Sequence, residues 1–265
     1  MGTTVDHFTV HTDDATIAVS RGGRGRPLVL CPGLLTTQAD LCELTDLLRR
    51  DHDVITFDLR GHGLSSAAQR YTFRAFLDDF VAVMAAVGRL RLPAAPILVG
   101  HSLGADLAVH YASEHPGSAA AMVLVDGANP VPEPFITEAD LPEFRAVFDN
   151  LATWAENSAG TPRQVLLTPR EVLDLNLEVD LVRSTILDRY RRIDCPISVI
   201  VSTSMAGDSG EGRALWRNRN WRAGIERLVR DRPHIAAWWL DAGHGLTTTH
   251  ARDIARIIGS SRTTG

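Results

Sequence analysis

The chain has 265 residues, of which 45% are hydrophobic and 22% charged, a composition typical of a globular protein with a large core. Its formal net charge of −5 argues against nucleic acid or an anionic membrane surface as a partner. All 27 basic residues are arginine, which excludes any chemistry that needs a lysine, such as a Schiff base, a Ser-Lys dyad or a phosphate-binding P-loop.

Cysteine usage and the amino-terminal sequence indicate the cellular compartment. Cys31, Cys42 and Cys195 are an odd number without the spacing of metal ligands, so we expect reduced thiols and no bound metal. Residues 1–15 lack the apolar stretch of a secretory signal, and no apolar run is long enough to cross a membrane. We therefore predict a cytoplasmic protein that needs no cofactor. The sequence shows no heptad or repeat pattern that would indicate an oligomeric state.

Turn residues and apolar runs divide most of the chain into alternating strands and helices. Weak alternation predicts an opening hairpin over 7–10 and 16–20. Apolar runs and amphipathic spacing then predict, in chain order, strand 28–31, helix 38–50, strand 54–57, helix 74–87, strand 95–99, helix 105–112 and strand 122–125. The alternation resumes with strand 197–201, helix 212–230, strand 235–240 and helix 251–258. This pattern predicts an α/β fold with a mostly parallel sheet covered by helices on both faces.

The segment 128–194 interrupts the alternation. Prolines cluster at its start, and two helical stretches, 138–156 and 170–192, follow without a strand between them. We therefore predict a core formed by 1–127 and 195–265, with 128–194 as a small helical lid over one edge of the sheet. The apolar side chains of the lid are expected partly to pack the lid and partly to wall an apolar pocket: Phe135, Leu141, Phe144, Phe148, Leu151 and Trp154.

A pentapeptide between a predicted strand and a predicted helix carries the strongest chemical signal. It reads Gly100-His101-Ser102-Leu103-Gly104, and in this context G-x-S-x-G predicts a nucleophile elbow. The glycines on either side of Ser102 allow the strand and the helix to approach closely, while the serine takes a strained conformation. Its hydroxyl is then expected at the carboxyl edge of the sheet, beside a helix amino terminus suited to an oxyanion.

A serine nucleophile needs a base and a group that orients the base. His244 follows the last predicted strand, at the same edge of the sheet as Ser102, and we predict it to be the base. Two carboxylates fit the chain order of such a triad, Asp126 at the end of strand 122–125 and Asp208 beyond strand 197–201. Asp126 is favoured because a strand end holds it, whereas Asp208 lies in a loop rich in serine and glycine.

The predicted oxyanion hole uses two backbone N–H groups. One belongs to Leu103, directly after the serine, and the other to Leu34, after Pro32-Gly33. Gly33 would let that second loop approach the nucleophile closely.

Together these residues resemble the α/β-hydrolase fold superfamily over nearly the whole chain. The likeness rests on Cys31-Pro32-Gly33-Leu34, Asp58-Leu59-Arg60-Gly61-His62-Gly63-Leu64-Ser65, the pentapeptide at Ser102, Val125-Asp126-Gly127 and Ala242-Gly243-His244. The second of these stretches is expected to be structural. The usual acid position, three or four residues past strand 197–201, holds no carboxylate, which favours Asp126, the position that dehalogenase-like members use. Their nucleophile is Asp rather than Ser, so their chemistry is not implied here.

The resemblance implies a serine hydrolase that cleaves an ester, thioester or lactone of a largely apolar small molecule through an acyl-serine intermediate. It also extends to cofactor-independent dioxygenases, in which a His-Asp dyad deprotonates a heteroaromatic substrate before O₂ attacks. His244 and Asp126 would form that dyad and Ser102 would not be a nucleophile. A third hypothesis is a ligand-binding protein without catalysis, and the complete set of candidate residues argues against it.

Overall fold

The structure is a computed structural model that describes residues 4–208 and 211–260, apart from the side chains of 148–156. Its strands are β1 (Val5–His11), β2 (Thr16–Gly23), β3 (Arg26–Cys31), β4 (His52–Phe57), β5 (Ile97–His101), β6 (Ala121–Val125), β7 (Ile197–Ser204) and β8 (Ala236–Gly243). They form one sheet in the order β1-β2-β4-β3-β5-β6-β7-β8. β2 pairs antiparallel with β1 and β4, and all other pairs are parallel. The predicted α/β fold class is confirmed.

Helices join these strands and continue to the end of the described chain. They are α1 (Cys42–Leu48), α2 (Phe73–Gly88), α3 (Leu103–Glu114), α4 (Leu141–Ser158), α5 (Pro169–Ser184), α6 (Ile186–Tyr190), α7 (Gly212–Asp231), α8 (Leu246–Thr249) and α9 (Ala251–Ser260), with a 3₁₀ turn at Glu138–Asp140 before α4. None of the helices in 4–208 and 211–260 combines the length and the apolar character that a bilayer crossing requires.

The side chains of the parallel strands alternate between two apolar layers. Leu28 and Leu30 of β3 face the layer that contains α1 and α9, whereas Val29 faces the layer that contains α2 and α3. All three side chains are fully buried. Burial on both faces explains why these strands appear in the sequence as continuous apolar runs.

Two predicted helices depart most from the structure, one in where it begins and the other in being divided. The helix predicted at 38–50 begins only at Cys42, because Asp40 accepts hydrogen bonds from the N–H and the hydroxyl of Thr37 and closes a turn there. The helix predicted at 170–192 divides into α5 and α6 at Thr185, whose φ of −114° lies outside the helical range. The helix α8 was not predicted, since four residues are too few to show a period.

The helices α4 to α6 and the 3₁₀ turn lie in the chain between β6 and β7, within the segment 128–194. The role of that segment as a lid stays a prediction. Two backbone hydrogen bonds join this segment to the loop after β4. Gly63 N–H donates to Gln164 O (2.9 Å), and Leu166 N–H donates to Gly61 O (2.7 Å). The segment is thereby fixed beside the carboxyl edge of the sheet.

The loop after β4 is also fixed by a buried ion pair. Arg60 donates from Nε and Nη2 to the two carboxylate oxygens of Asp79 on α2, both at 2.7 Å, and the two side chains are each 3% exposed. Its Nη1 donates to Arg70 O (2.8 Å) and to Asp14 Oδ1 (3.0 Å). One guanidinium thus joins the loop, α2 and the β1–β2 turn.

Asp79→Asn should lower the free energy of unfolding by about 3 kcal/mol, because a buried guanidinium then lacks its main counter-charge. The matched control is Asp78→Asn on the same helix, which breaks only the exposed pair with Arg74 and should change stability little. Urea unfolding of both variants checks this prediction. Equal losses in the two would show that the buried pair does not stabilise the fold.

Candidate active site

Ser102 occupies a sharp turn between β5 and α3. Its φ of 49° and ψ of −120° lie in a region that costs a side-chain-bearing residue about 1–3 kcal/mol, and its N–H donates to Val125 O at 2.9 Å. A Cβ on Gly100 would lie 2.4 Å from the carbonyl oxygen of Gly104, and one on Gly104 would lie 2.4 Å from that of Cys31. Only glycine fits these two positions, so β3, β5 and α3 can converge on the serine.

His244, in the loop after β8, lies between Ser102 and Asp126. Its Nε2 is 2.9 Å from Ser102 Oγ, and its Nδ1 is 2.8 Å from Asp126 Oδ2. An ionised carboxylate can only accept, so Nδ1 of His244 carries the proton and Nε2 is left to accept the proton of the serine hydroxyl. The structure therefore brings together the three residues that the sequence proposes as nucleophile, base and acid.

Asp126 is held in place by donors from three elements. Its backbone is also strained, with a φ of 48°, and its side chain is fully buried. Besides His244, the carboxylate accepts from the N–H (3.1 Å) and hydroxyl (2.7 Å) of Ser202 on β7 and from Trp221 Nε1 (3.0 Å) on α7. Burial raises the pKa of Asp126, but the hydrogen bond and charge of His244 and the two bonds from Ser202 outweigh it. The pKa therefore lies below its ordinary value, and Asp126 stays ionised beside His244.

The alternative acid, Asp208, is placed differently. It is exposed in the loop after β7 and makes no hydrogen bond to His244. Ser202 and Trp221 were not predicted from the sequence as partners of Asp126. Ser202 could have been found from its position near the carboxyl end of β7, beside β6, whereas no local pattern marks the indole of Trp221.

His101 supports the loop that carries His244. Its ring lies 5.3 Å from that of His244, centroid to centroid, and its Nε2 is 3.1 Å from the carbonyl oxygen of His244. A carbonyl can only accept, so Nε2 of His101 carries the proton. Burial and the nearby charge of His244 lower the pKa of His101 to about 4, and the ring is therefore neutral near neutral pH.

The two predicted oxyanion donors belong to segments that lie next to Ser102. A Cβ on Gly33 would lie 3.0 Å from Ser102 Cβ, so the loop after β3 closely approaches Ser102. Leu34 and Leu103 both line the cavity that contains Ser102 and His244. Within 4–208 and 211–260, neither N–H has an acceptor, whereas the N–H of Leu35 donates to His62 Nε2 at 3.1 Å. Their role as an oxyanion hole stays a prediction.

The cavity at Ser102 has a volume of about 380 Å³. Its apolar wall includes Leu34, Leu35, Leu103, Phe135, Ile136, Phe144, Val179 and Met205. Of the predicted lid residues, Phe135 and Phe144 line it, Leu141 packs against the core, and Phe148, Leu151 and Trp154 lie outside the described side chains.

Charged side chains also line this cavity, and its two arginines are paired with carboxylates of the protein. Arg183 on α5 binds Asp106 on α3, with Nη2 2.7 Å from Oδ2, and its guanidinium lies 5.3 Å from the Trp221 ring. Arg217 on α7 binds Glu143 at 2.7 Å. The lining of the cavity therefore combines apolar side chains with charged groups that are fixed by ion pairs.

Comparisons with known proteins agree with this architecture. The family model of the alpha/beta hydrolase fold matches residues 26–192, more than half of the chain. The chain therefore belongs to the α/β hydrolase fold family.

Individual relatives are more distant. Protein ABHD8 of Mus musculus is 32% identical over 91 residues, which are 33% of this chain and 20% of that protein, so the match spans about a fifth of the relative. The putative carbamate hydrolase RutD of Caulobacter vibrioides is 34% identical over 125 residues, 45% of each chain. The structure of a putative aryl esterase from Burkholderia cenocepacia is similar with a TM-score of 0.67, at 20% identity over 98% of this chain and 100% of that one. This last likeness shows the fold alone.

If this triad hydrolyses esters, Asp126→Asn should lower the rate of p-nitrophenyl ester hydrolysis by about 10⁴-fold, because the amide favours the wrong tautomer of His244. The matched control, Asp208→Asn, should leave the rate unchanged because Asp208 does not bind His244. Steady-state kinetics of both variants tests the choice between the two acids. A large loss in the Asp208 variant, with little in the Asp126 variant, would reverse that choice.

Proposed function

We propose that this protein is a serine hydrolase that cleaves an ester, thioester or lactone of a small molecule through an acyl-serine intermediate. The observation that carries the proposal is the position of His244, which is within hydrogen-bond distance of both Ser102 Oγ (2.9 Å) and Asp126 Oδ2 (2.8 Å). This geometry suits nucleophilic catalysis, in which the imidazole takes the serine proton and the carboxylate stabilises the imidazolium that forms.

In the acylation step, Ser102 Oγ attacks the carbonyl carbon and its proton passes to His244 Nε2. The oxygen of the tetrahedral intermediate becomes negative, and the N–H groups of Leu34 and Leu103 donate to it, an effect of about 3–4 kcal/mol for a donor of this kind. The intermediate then expels the alkoxide or thiolate, which takes the proton from His244. The acyl group remains on Ser102.

Deacylation repeats the step with water. His244 removes a proton from the water as its oxygen attacks the acyl carbon, and the tetrahedral intermediate then expels Ser102 Oγ, which regains the proton from His244. Asp126 keeps its negative charge throughout, because its lowered pKa disfavours protonation. The same three residues therefore carry both halves of the reaction.

The cavity supports a small substrate with a mainly apolar acyl group. Its volume of about 380 Å³ is at the small end of ligand sites. Phe135, Phe144 and Val179 would contact the acyl chain, and Arg183 or Asp180 would lie near any polar group at its end. The names of the relatives, a putative carbamate hydrolase and a putative aryl esterase, are consistent with acyl chemistry at such a site.

A panel of p-nitrophenyl esters, acyl thioesters and lactones of two to ten carbons tests the proposal. We expect hydrolysis of at least one class by the wild type and a loss of 10³-fold or more in Ser102→Ala, since removing a triad serine leaves only binding and oxyanion stabilisation. O₂ uptake with heteroaromatic substrates is measured in parallel. O₂ consumption that survives in Ser102→Ala, without hydrolysis, would replace the proposal by the cofactor-independent dioxygenase reaction.

A further inference from the structure

The loop that carries Leu34 contains a strained residue. Residues 33–36 form a turn in which Thr36 N–H donates to Gly33 O at 3.1 Å. Leu35, inside the turn, has a φ of 64°, a left-handed conformation that is strained for a residue with a Cβ. Such a conformation persists only where contacts around it fix it. The turn hydrogen bond is one such contact, and the second comes from a distant residue.

That residue is His62, in the stretch after β4. Its Nε2 is 3.1 Å from the backbone nitrogen of Leu35, and its Nδ1 is 2.8 Å from the carbonyl oxygen of Arg60. The N–H of Leu35 can only donate and the carbonyl of Arg60 can only accept. The two partners therefore require one form of the ring, the neutral tautomer with its proton on Nδ1 and a lone pair on Nε2.

The surroundings of His62 keep the ring in that form. The side chain is completely buried, with the Phe76 ring 6.4 Å away in an edge-to-face arrangement and Val165 bridged to its backbone. Burial lowers the pKa of His62 to about 4, against the raising effects of the Arg60 carbonyl and of the charge of Asp40. The backbone N–H of His62 donates to Leu59 O at 2.9 Å, so the main chain holds the ring as well.

We propose that His62 is a positioning residue for the oxyanion hole: by accepting the N–H of Leu35, it holds the turn 33–36 in the conformation that leaves the N–H of Leu34 free for the oxyanion. The inference rests on the proposed function. Two adjacent peptide groups of the turn thus have separate partners, His62 for the N–H of Leu35 and the reaction intermediate for that of Leu34. The stretch from Asp58 to Ser65 has a role beyond shaping a turn.

The test compares His62→Gln with His62→Met. The amide oxygen of Gln can accept the N–H of Leu35 from about the position of Nε2, whereas Met fills a similar volume without an acceptor. With its oxygen at the position of Nε2, the Gln amide has its NH₂ on the side away from Nδ1, so both variants lose the bond to the Arg60 carbonyl and that loss cancels between them. With a p-nitrophenyl ester that the wild type hydrolyses, we expect kcat of His62→Met to fall about 10–100-fold with KM within about threefold, because oxyanion donors act in the transition state. We expect His62→Gln to recover most of this loss.

The outcomes separate the two proposals. Equal kcat values in wild type, Gln and Met variants would overturn the role of His62 and leave the hydrolase intact. A parallel loss in Gln and Met that follows their thermal stabilities would also overturn it, since that pattern fits a merely structural role. A wild type that hydrolyses no ester, thioester or lactone would instead refute the proposed function.

A second measurement does not depend on the folding of either variant. In the wild type labelled with ¹⁵N-histidine, we expect His62 to appear as the neutral tautomer protonated on Nδ1, and to remain so at pH 5. A proton on Nε2, or a charged ring at that pH, would overturn the inference because neither form can accept the N–H of Leu35.

Discussion

The buried carboxylate of Asp126 fixes the arrangement of the candidate site at the carboxyl edge of the sheet. An ionised carboxylate removed from water costs several kcal/mol unless donors replace the water. Here the donors are the backbone and hydroxyl of Ser202, the indole of Trp221 and the imidazole of His244. They come from β7, α7 and the loop after β8, so the need to satisfy one buried charge fixes the relative positions of all three. His244, once fixed, lies within 2.9 Å of the serine.

Backbone strain is concentrated at the same edge of the sheet. Leu35, Ser102 and Asp126 each have a φ between 48° and 64° although none is glycine. Each is held by a hydrogen bond from its own N–H, to His62, to Val125 O and to Ile200 O respectively. The apolar core on both faces of the sheet supplies the stability that offsets this strain. A Cβ on Gly127 would lie 2.2 Å from the carbonyl oxygen of Ser102, which shows how closely the ends of β5 and β6 meet there.

The sequence predicted the strands well because burial on both faces leaves continuous apolar runs, and the parallel arrangement then places their carboxyl ends together. Ser102, Asp126 and His244 could be proposed because each follows such a run directly. The partners of these residues could not, since Trp221 is 95 residues from Asp126 in the chain and no periodicity connects them. The pairing of Arg183 with Asp106, 77 residues apart, could not be predicted for the same reason. The sequence therefore did not indicate that charged side chains line part of the cavity. Nothing in the sequence indicated that His62 accepts a hydrogen bond from Leu35, because that bond depends on how the loop after β3 folds.

Activation of Ser102 by His244 is the basis of the proposed function, and covalent labelling of the serine measures it. Intact-mass spectrometry after treatment with a fluorophosphonate would be carried out on the wild type, Ser102→Ala and His244→Ala, with folding of each checked by circular dichroism. Activation by His244 predicts one adduct on the wild type, none on Ser102→Ala, and labelling of His244→Ala slowed by several orders of magnitude. A folded wild type that forms no adduct, or that is labelled equally without His244, would contradict it.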